Sequence, residues 1–141
     1  MNRKGLTVFE LLVTVGLFSL LATVMVPGLQ SLFARLEVHT ALRAVTAGLN
    51  AARYQAVRDN QPVRAEIVPG SLQLSVDNGV GWQVTRRFPL SDKLSIRANS
   101  RPVFSPLGNV SPLCTITLET RQKAYRIVVS MYGRIQVYGG S

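Results

Sequence analysis

The first part of the chain is dominated by apolar positions. An apolar run extends from Leu6 to Val26, and Glu10 is its only charged residue. As a helix this run would be about 31 Å long, which is close to the thickness of the hydrocarbon core of a bilayer. The pattern therefore predicts a membrane-inserted helix over residues 6–26, with the preceding Arg3 and Lys4 on the cytoplasmic side.

After Pro27 the apolar residues change their spacing. They recur every three or four positions, which is the period of a helix with one buried face. The pattern predicts a single helix from about Leu6 to Arg58, in which Pro27 removes a backbone donor and favours a kink. We expect the amphipathic half over residues 27–60 to pack on a globular domain. Its apolar positions are Leu29, Leu32, Phe33, Leu36, Leu42, Val45, Leu49, Ala52 and Ala56.

Short alternating segments bounded by turn residues follow the helix. Asp77-Asn78-Gly79 is a strong hairpin signal, and Pro69-Gly70 marks another turn. Six or seven strands packed on the amphipathic half of the helix would form an α+β domain with an antiparallel sheet over residues 61–141. The predicted strands are Pro62–Val68, Ser71–Val76, Val80–Phe88, Leu94–Ala98 and a final meander of Leu113–Thr120, Ala124–Met131 and Arg134–Tyr138, with a loop after Val103-Phe104.

Composition adds a strongly basic charge to this picture. The 141 residues include 16 Lys and Arg against 7 Asp and Glu, a formal net charge of +9, and 47% are hydrophobic. Because disordered chains are poor in apolar residues, this composition excludes a disordered protein, and the length fits one domain. One Cys and one His exclude an internal disulfide framework and argue against a Cys/His zinc site.

The sequence offers little catalytic chemistry. We expect His39 on a solvated face of the helix, and the strand parity that Cys114 shares with Ile116 indicates a buried thiol. A reactive cysteine needs a depressed pKa and a nearby base, and the sequence marks neither. It contains no phosphate-binding glycine loop and no metal-ligand spacing. We therefore predict a protein that is not an enzyme and uses no cofactor or metal.

Two further explanations of the N-terminal run stay open at this point. An ordinary secretory signal peptide would have a shorter apolar core and a small-x-small cleavage site, and no such site lies near Val26. A simple membrane-anchored periplasmic protein would keep its full length.

Glu10 either reaches the membrane interface or meets a positive partner, such as the amino group of Leu6 exposed by cutting after Gly5. Since a rigid helix hinders pairing within one chain, that amino group would belong to a neighbouring subunit.

The segment Lys4-Gly5 followed by Leu6–Val13 resembles the class III signal of type IV prepilins and type II secretion pseudopilins. The resemblance implies a leader peptide over residues 1–5, a prepilin peptidase that cuts after Gly5 and methylates Leu6, and Glu10 as the assembly residue. It further implies a type IV pilin-like fold, an inner-membrane anchor with a periplasmic C-terminal domain, and assembly with other pilins or pseudopilins. Leu6 departs from the family, in which Phe is usual.

Three other segments resemble the narrower GspH/FimT family of minor pilins and pseudopilins. The resemblance covers nearly the whole chain and implies a minor subunit that acts in filament assembly and in protein secretion or pilus function. The segments are Leu49–Arg58 with Gln61-Pro62-Val63, Val103–Gly108, and Ile127–Ser130 with Gly133-Arg134.

The basic charge raises an alternative hypothesis, DNA binding. Residues 27–141 carry 14 basic and 6 acidic side chains, a net charge of +8, and most of the basic residues are Arg. Arginine suits contacts to phosphates and stacking on bases. A surplus of surface arginine without a nucleic-acid partner remains the other explanation. The candidate residues are Arg121, Lys123 and Arg126 around one turn and Arg134 at the start of the last strand, with Tyr125, Tyr132 and Tyr138 among them; Arg86 and Arg87 form an alternative patch.

One C-terminal element bears on this hypothesis. Some FimT-type minor pilins bind DNA during natural transformation through a glycine-arginine-x-arginine element. The corresponding segment here, Gly133 to Gln136, keeps the first arginine as Arg134 and has Gln136 in place of the second. The resemblance therefore implies a role in DNA uptake that rests on one of the two arginines.

Overall fold

The structure, a computed structural model, describes residues 7–120 and 123–139, apart from the side chains of Pro27, Gln30 and Ser31. The chain forms two compact units, of which the first ends at Leu36 and the second begins at Glu37. A long apolar N-terminal helix followed by antiparallel sheets confirms the predicted α+β class. The elements are α1 (Val8–Asp59), β1 (Val63–Val68), β2 (Ser71–Asp77), β3 (Trp82–Pro89), β4 (Ser95–Ala98), β5 (Val103–Phe104), β6 (Val110–Ser111), β7 (Cys114–Glu119), β8 (Ala124–Val129) and β9 (Ile135–Tyr138).

Both ends of α1 carry local capping interactions. Thr7 precedes the first helical residue, and its Oγ1 accepts a hydrogen bond from the amide of Glu10 at 3.3 Å, as an N-cap residue does. At the other end Asn60 has a φ of 51°, and the amide of Gln61 donates to the carbonyl oxygen of Ala56 at 3.2 Å. A left-handed residue with this bond is the Schellman pattern that ends helices. The helix therefore starts and stops close to the residues that the sequence predicts.

In the first unit α1 is apolar on all sides. Residues Val8–Val26 have a mean hydropathy of 2.2 and none of them is buried, so this segment is long and apolar enough to cross a membrane. The hydroxyls of Thr14, Ser19 and Thr23 donate to carbonyl oxygens four residues earlier at 2.6–2.8 Å. The helix thereby satisfies these polar side chains by itself. The helix continues through Pro27.

In the second unit one face of α1 covers the core. Gly48 lies on this face against the side chains of Leu72 in β2 and Phe88 in β3, so a larger residue there would displace the end of the Leu72 side chain. Phe104 of β5 and Ile116 of β7 are buried opposite the helix. Of the predicted apolar positions, Leu42, Val45, Leu49, Ala52 and Ala56 are buried, and Val38 and Ala41 join them. The prediction is wrong for Leu29, Leu32, Phe33 and Leu36, which are exposed and belong to the first unit, so that only the part of the helix from Glu37 onward packs on the core.

Within the described residues the strands form two antiparallel sheets. Sheet A has the order β3-β2-β1-β5-β6 and sheet B the order β4-β7-β8-β9. The hairpin of β2 and β3 and the meander of β7, β8 and β9 agree with the sequence patterns. The sequence does not predict the division into two sheets or the short strand β6. The division arises because the chain over residues 95–104 changes partner, pairing with β7 as β4 and with β1 as β5.

Candidate functional site

The predicted processing and assembly residues lie at the start of the chain. Gly5 and Leu6 are outside the described residues. Glu10 lies exposed in the first turn of α1, where the partial positive charge of the helix N-terminus favours a carboxylate. Its amide bonds Thr7, but among the described residues no hydrogen bond reaches its carboxylate. The first turn is therefore fixed by its backbone, while the acidic side chain is available to a partner.

Sheet B carries a row of polar side chains on its outward face. The strand register aligns Arg97 of β4 with Thr117 of β7, Arg126 of β8 and Tyr138 of β9. Residues of the opposite parity, such as Ile127, are buried, so the row faces solvent. Because adjacent strands lie about 4.8 Å apart, the backbones of Arg97 and Arg126 are separated by about 10 Å.

Arg134 extends this row toward the turn between β8 and β9. Its carbonyl oxygen accepts a hydrogen bond from the amide of Ser130 at 2.9 Å, which places it four residues along β8 from Arg126, or about 13 Å. Gln136 shares the alternation of Arg134 and accepts a hydrogen bond from the hydroxyl of Tyr138 at 2.8 Å. Arg97, Arg126 and Arg134 are all exposed. We call these three residues the arginine face.

The candidate basic residues that the structure describes are distributed over the length of β8. Arg121 lies outside the described residues. Lys123 does lie in the turn between β7 and β8, where its carbonyl oxygen accepts a hydrogen bond from Thr120 at 2.8 Å. Arg126, however, lies inside β8, and Arg134 precedes β9 instead of beginning it. Lys123 and Arg134 are therefore at opposite ends of β8.

Two further differences concern side chains around this face. Tyr125 packs against the core, so it cannot stack on a ligand, whereas Tyr132 and Tyr138 are exposed. Arg97 joins the face although the sequence analysis does not select it. Its alternation with Ile96 predicts an outward side chain, but only the pairing of β4 with β7 brings it beside Arg126. Local pattern could therefore identify its orientation and not its neighbours.

Two turns, one at Gly108 and one at Gly133, contact α1 beside the arginine face. Gly133 has a φ of 72°, and a Cβ there would be 2.6 Å from the carbonyl oxygen of Gly108 and 3.0 Å from Nε of Arg53. The Arg53 guanidinium donates to the carbonyl oxygen of Gly133 at 3.3 Å. The amide of Val110 donates to the carbonyl oxygen of Met131 at 2.8 Å, which ties the two turns together. Glycine at position 133 is required both by its backbone conformation and by this close approach.

The remaining reactive side chains form no catalytic group among the described residues. Cys114 is buried, and desolvation raises the pKa of its thiol, which favours the unreactive protonated form. His39 is exposed on α1. In residues 7–120 and 123–139 no three His, Cys, Asp or Glu side chains converge as a metal site. Arg86 and Arg87 are exposed on β3, where the Arg86 guanidinium lies 5.0 Å from the centre of the Phe88 ring.

The fold of this chain resembles the folds of a type IV minor pilin and of a type II secretion minor pseudopilin. The model of the family described as type II transport protein GspH matches residues 41–133. The type IV minor pilin FimU of Pseudomonas aeruginosa superposes with a TM-score of 0.63 at 18% identity, over 74% of this chain and 90% of that one. No curated protein sequence matches significantly.

The minor pseudopilin EpsH from the type II secretion system of Vibrio cholerae is also similar. Two structures of EpsH superpose with TM-scores of 0.57 and 0.58 at 14% and 13% identity. The alignments cover 70% and 75% of this chain and 94% and 97% of EpsH. At these identities the structural likeness concerns the fold alone.

Proposed function

Because this chain belongs to the GspH family and is a minor pilin or pseudopilin of a type II secretion system or type IV pilus, we propose that it is made as a prepilin, cut after Gly5 and built into the filament through Glu10. The observation that carries this proposal is the exposed apolar segment Val8–Val26 with a single carboxylate in its first turn. A soluble protein does not expose so much contiguous apolar surface. The segment therefore needs lipid or neighbouring helices around it.

Before assembly, the lipid bilayer would surround the apolar segment. Arg3 and Lys4 hold the leader on the cytoplasmic side of the inner membrane, and the second unit lies in the periplasm. A prepilin peptidase then removes residues 1–5 and methylates the new amino terminus at Leu6. Removal of the leader takes two positive side chains from the chain and creates one amino-terminal charge close to Thr7.

Glu10 supplies the complementary charge during assembly. Moving a carboxylate from the membrane interface into apolar surroundings costs a few kcal/mol of free energy unless a positively charged partner is present. In the first turn of α1 the Glu10 amide donates a hydrogen bond to the Thr7 hydroxyl. Among the described residues no hydrogen bond reaches the Glu10 carboxylate. The amino terminus of a staggered neighbour would satisfy this charge and set the axial register of the helices.

The nature of the mature N-terminus tests the processing step. Intact-mass analysis of the protein from its host should give a chain that begins at a methylated Leu6. Gly5→Ala should leave the precursor at full length, whereas Gly16→Ala, a helix glycine with open space around it, should be processed normally. A mature chain that retains Met1, or normal cleavage of Gly5→Ala, would contradict the proposal.

A second candidate function, DNA binding during uptake, is favoured by the arginine face. Arg97, Arg126 and Arg134 present three guanidinium groups on one surface, and Tyr132 and Tyr138 are exposed beside them. Three phosphate contacts on duplex DNA predict that log affinity falls with log salt with a slope of about −3. The family's second arginine is Gln136 here, an uncharged side chain whose Oε1 accepts a hydrogen bond from the Tyr138 hydroxyl.

Gel shifts with the full-length chain in detergent test this candidate. Replacing Arg126 and Arg134 together by Ala should weaken binding at low salt and flatten the salt dependence. The double change of Arg86 and Arg87 to Ala removes the same charge from the alternative patch on sheet A, so the two double variants compare the two candidate surfaces directly. Equal losses of DNA affinity in the two double variants would show that binding depends only on the net charge of the protein. Absence of any gel shift at low salt would exclude DNA binding.

A further inference from the structure

Two turns of the second unit hold large apolar side chains in solvent. Leu107 is 86% exposed and Tyr132 is 72% exposed, and Met131 and Val57 of α1 are each more than half exposed. Cγ2 of Val57 lies 3.9 Å from the position that a Cβ of Gly108 would take, and the two turns contact each other. These four apolar side chains therefore belong to one surface, which we call the turn surface. Contiguous exposed apolar side chains on a folded unit mark a binding site.

Hydrogen bonds within each turn fix the turn surface. In the first turn the Gly108 amide donates to the carbonyl oxygen of Ser105 at 2.9 Å, and in the second the Gly133 amide donates to the carbonyl oxygen of Ser130 at 2.9 Å. The Arg134 amide donates to the Ser130 hydroxyl at 3.1 Å. The backbone that carries the exposed side chains is thus already ordered, so binding of a ligand costs little further ordering of the protein.

Two guanidinium groups flank the turn surface. Arg53 donates one of its five N–H groups to the carbonyl oxygen of Gly133 at 3.3 Å, and Arg134 directly follows Gly133. Among the described residues of the two turns and of the last two turns of α1, the only acid is Asp59. Both of its carboxylate oxygens accept hydrogen bonds from Arg58, at 2.7 and 3.0 Å. The charge around the apolar side chains is therefore positive and attracts an anionic ligand.

We propose that the turn surface binds a single-stranded nucleic acid, an inference that rests on the second candidate function, DNA binding. Arg53 and Arg134 contact backbone phosphates, since a guanidinium forms paired hydrogen bonds with phosphate oxygens. Tyr132 stacks on the face of one base, and Leu107 covers the face of a neighbouring base. Proteins that bind single strands without sequence preference combine phosphate contacts with stacking on aromatic side chains in this way.

The exposed apolar side chains favour a single strand over a duplex. In a duplex the base faces stack on each other, and a protein reaches only the phosphates and the base edges in the grooves. Leu107 and Tyr132 would then bury no base face. In a single strand the base faces are available, and packing them against these side chains removes apolar surface of both partners from water.

Charge and size argue against two other occupants of the turn surface. A second copy of this chain would bring like charges together, because residues 27–141 carry 14 basic against 6 acidic side chains. A stable protein interface takes about 20–30 residues on each side, which is more than the two turns and the end of α1 present. A few apolar side chains between two arginines match the size of a short stretch of nucleotides.

Fluorescence anisotropy with the full-length chain in detergent micelles tests the proposal. The probes are a fluorescein-labelled DNA strand of about 20 nucleotides and the same strand annealed to its complement, both at low salt and against empty micelles. We expect the single strand to bind at least about fivefold more tightly than the duplex. Equal or tighter binding of the duplex would overturn this inference and leave DNA binding itself in place.

Variants of the exposed side chains test the stacking contacts. Tyr132→Ala should weaken binding of the single strand about fivefold to tenfold and binding of the duplex less than about twofold, whereas Tyr132→Phe keeps the ring and should bind the strand like the unaltered chain. Leu107→Ser should weaken binding of the strand as well. Val80→Ser is its matched control, because Val80 is also exposed but lies in the turn between β2 and β3.

The outcomes separate this inference from the candidate function beneath it. Unchanged affinity of Tyr132→Ala for the strand, or equal losses in Leu107→Ser and Val80→Ser, would overturn the inference and assign the turn surface to a protein partner. If neither the strand nor the duplex binds at low salt, DNA binding fails and this inference fails with it.

Discussion

Val8–Val26 and Glu37–Asp59 belong to one helix, yet their apolar side chains have different surroundings. None of the first segment is buried, whereas Val45, Leu49 and Ala52 of the second are completely buried beneath the sheets. The first segment is apolar on every side and the second on one face only. The comparison shows that this fold draws its core from the second segment, whereas the apolar side chains of the first segment stay exposed.

Matched leucine truncations in the two segments give the largest expected contrast. Leu49→Ala opens a cavity at a residue with 0% exposure and should lower the free energy of unfolding by about 2–5 kcal/mol. Leu17→Ala removes the same atoms where 58% of the residue is exposed and should change it by less than about 0.5 kcal/mol. Chemical denaturation in detergent, followed by the fluorescence of Trp82, measures both. Similar losses in the two variants would show that the first segment also belongs to the core.

The glycine turns offer a sharper test of how the second unit is tied together. Gly133→Ala introduces a left-handed alanine and a Cβ 2.6 Å from the carbonyl oxygen of Gly108, so the strain should exceed the roughly 1–2 kcal/mol of the backbone conformation alone. Gly79→Ala has a φ of 84° and open space around it, and should cost only the backbone strain. Gly139→Ala, also in open space, should be neutral. A smaller loss for Gly133→Ala than for Gly79→Ala would refute the close contact.

Local pattern predicts most of the elements of this fold but few of the contacts between them. The repeated spacing from Leu42 to Ala56 predicts the buried helix face, and Asp77-Asn78-Gly79 predicts the hairpin of β2 and β3. The partner change between β4 and β5 is set by contacts far apart in the sequence, which alternation within one strand cannot encode. For the same reason the sequence analysis does not select Arg97. Its assignment of Tyr125 to a binding surface is a different error, because the alternation that Tyr125 shares with Ile127 and Val129 already predicts an inward side chain.

The burial of Cys114 gives a smaller effect that depends on pH. Desolvation raises the pKa of this thiol above its unfolded value of 9.0. The resulting stabilisation is fully present below pH 9.0 and is lost as the pH rises through the folded-state pKa. Alkylation by iodoacetamide at pH 8 should therefore be slow in the folded chain and rapid in denaturant. Rapid alkylation of the folded chain would show that the thiol is accessible.

The proposed assembly of the chain into a filament depends on Glu10 meeting a charge on a neighbouring subunit. The fraction of the chain recovered in sheared filaments, with Glu10→Gln compared to wild type in the host, measures this most directly. We predict that Glu10→Gln loses its leader normally but enters filaments at least about tenfold less, because the amide keeps the size of the side chain and loses its charge. Glu119→Gln, at an exposed acid on β7, should assemble like wild type. Equal incorporation of Glu10→Gln and wild type would contradict the account.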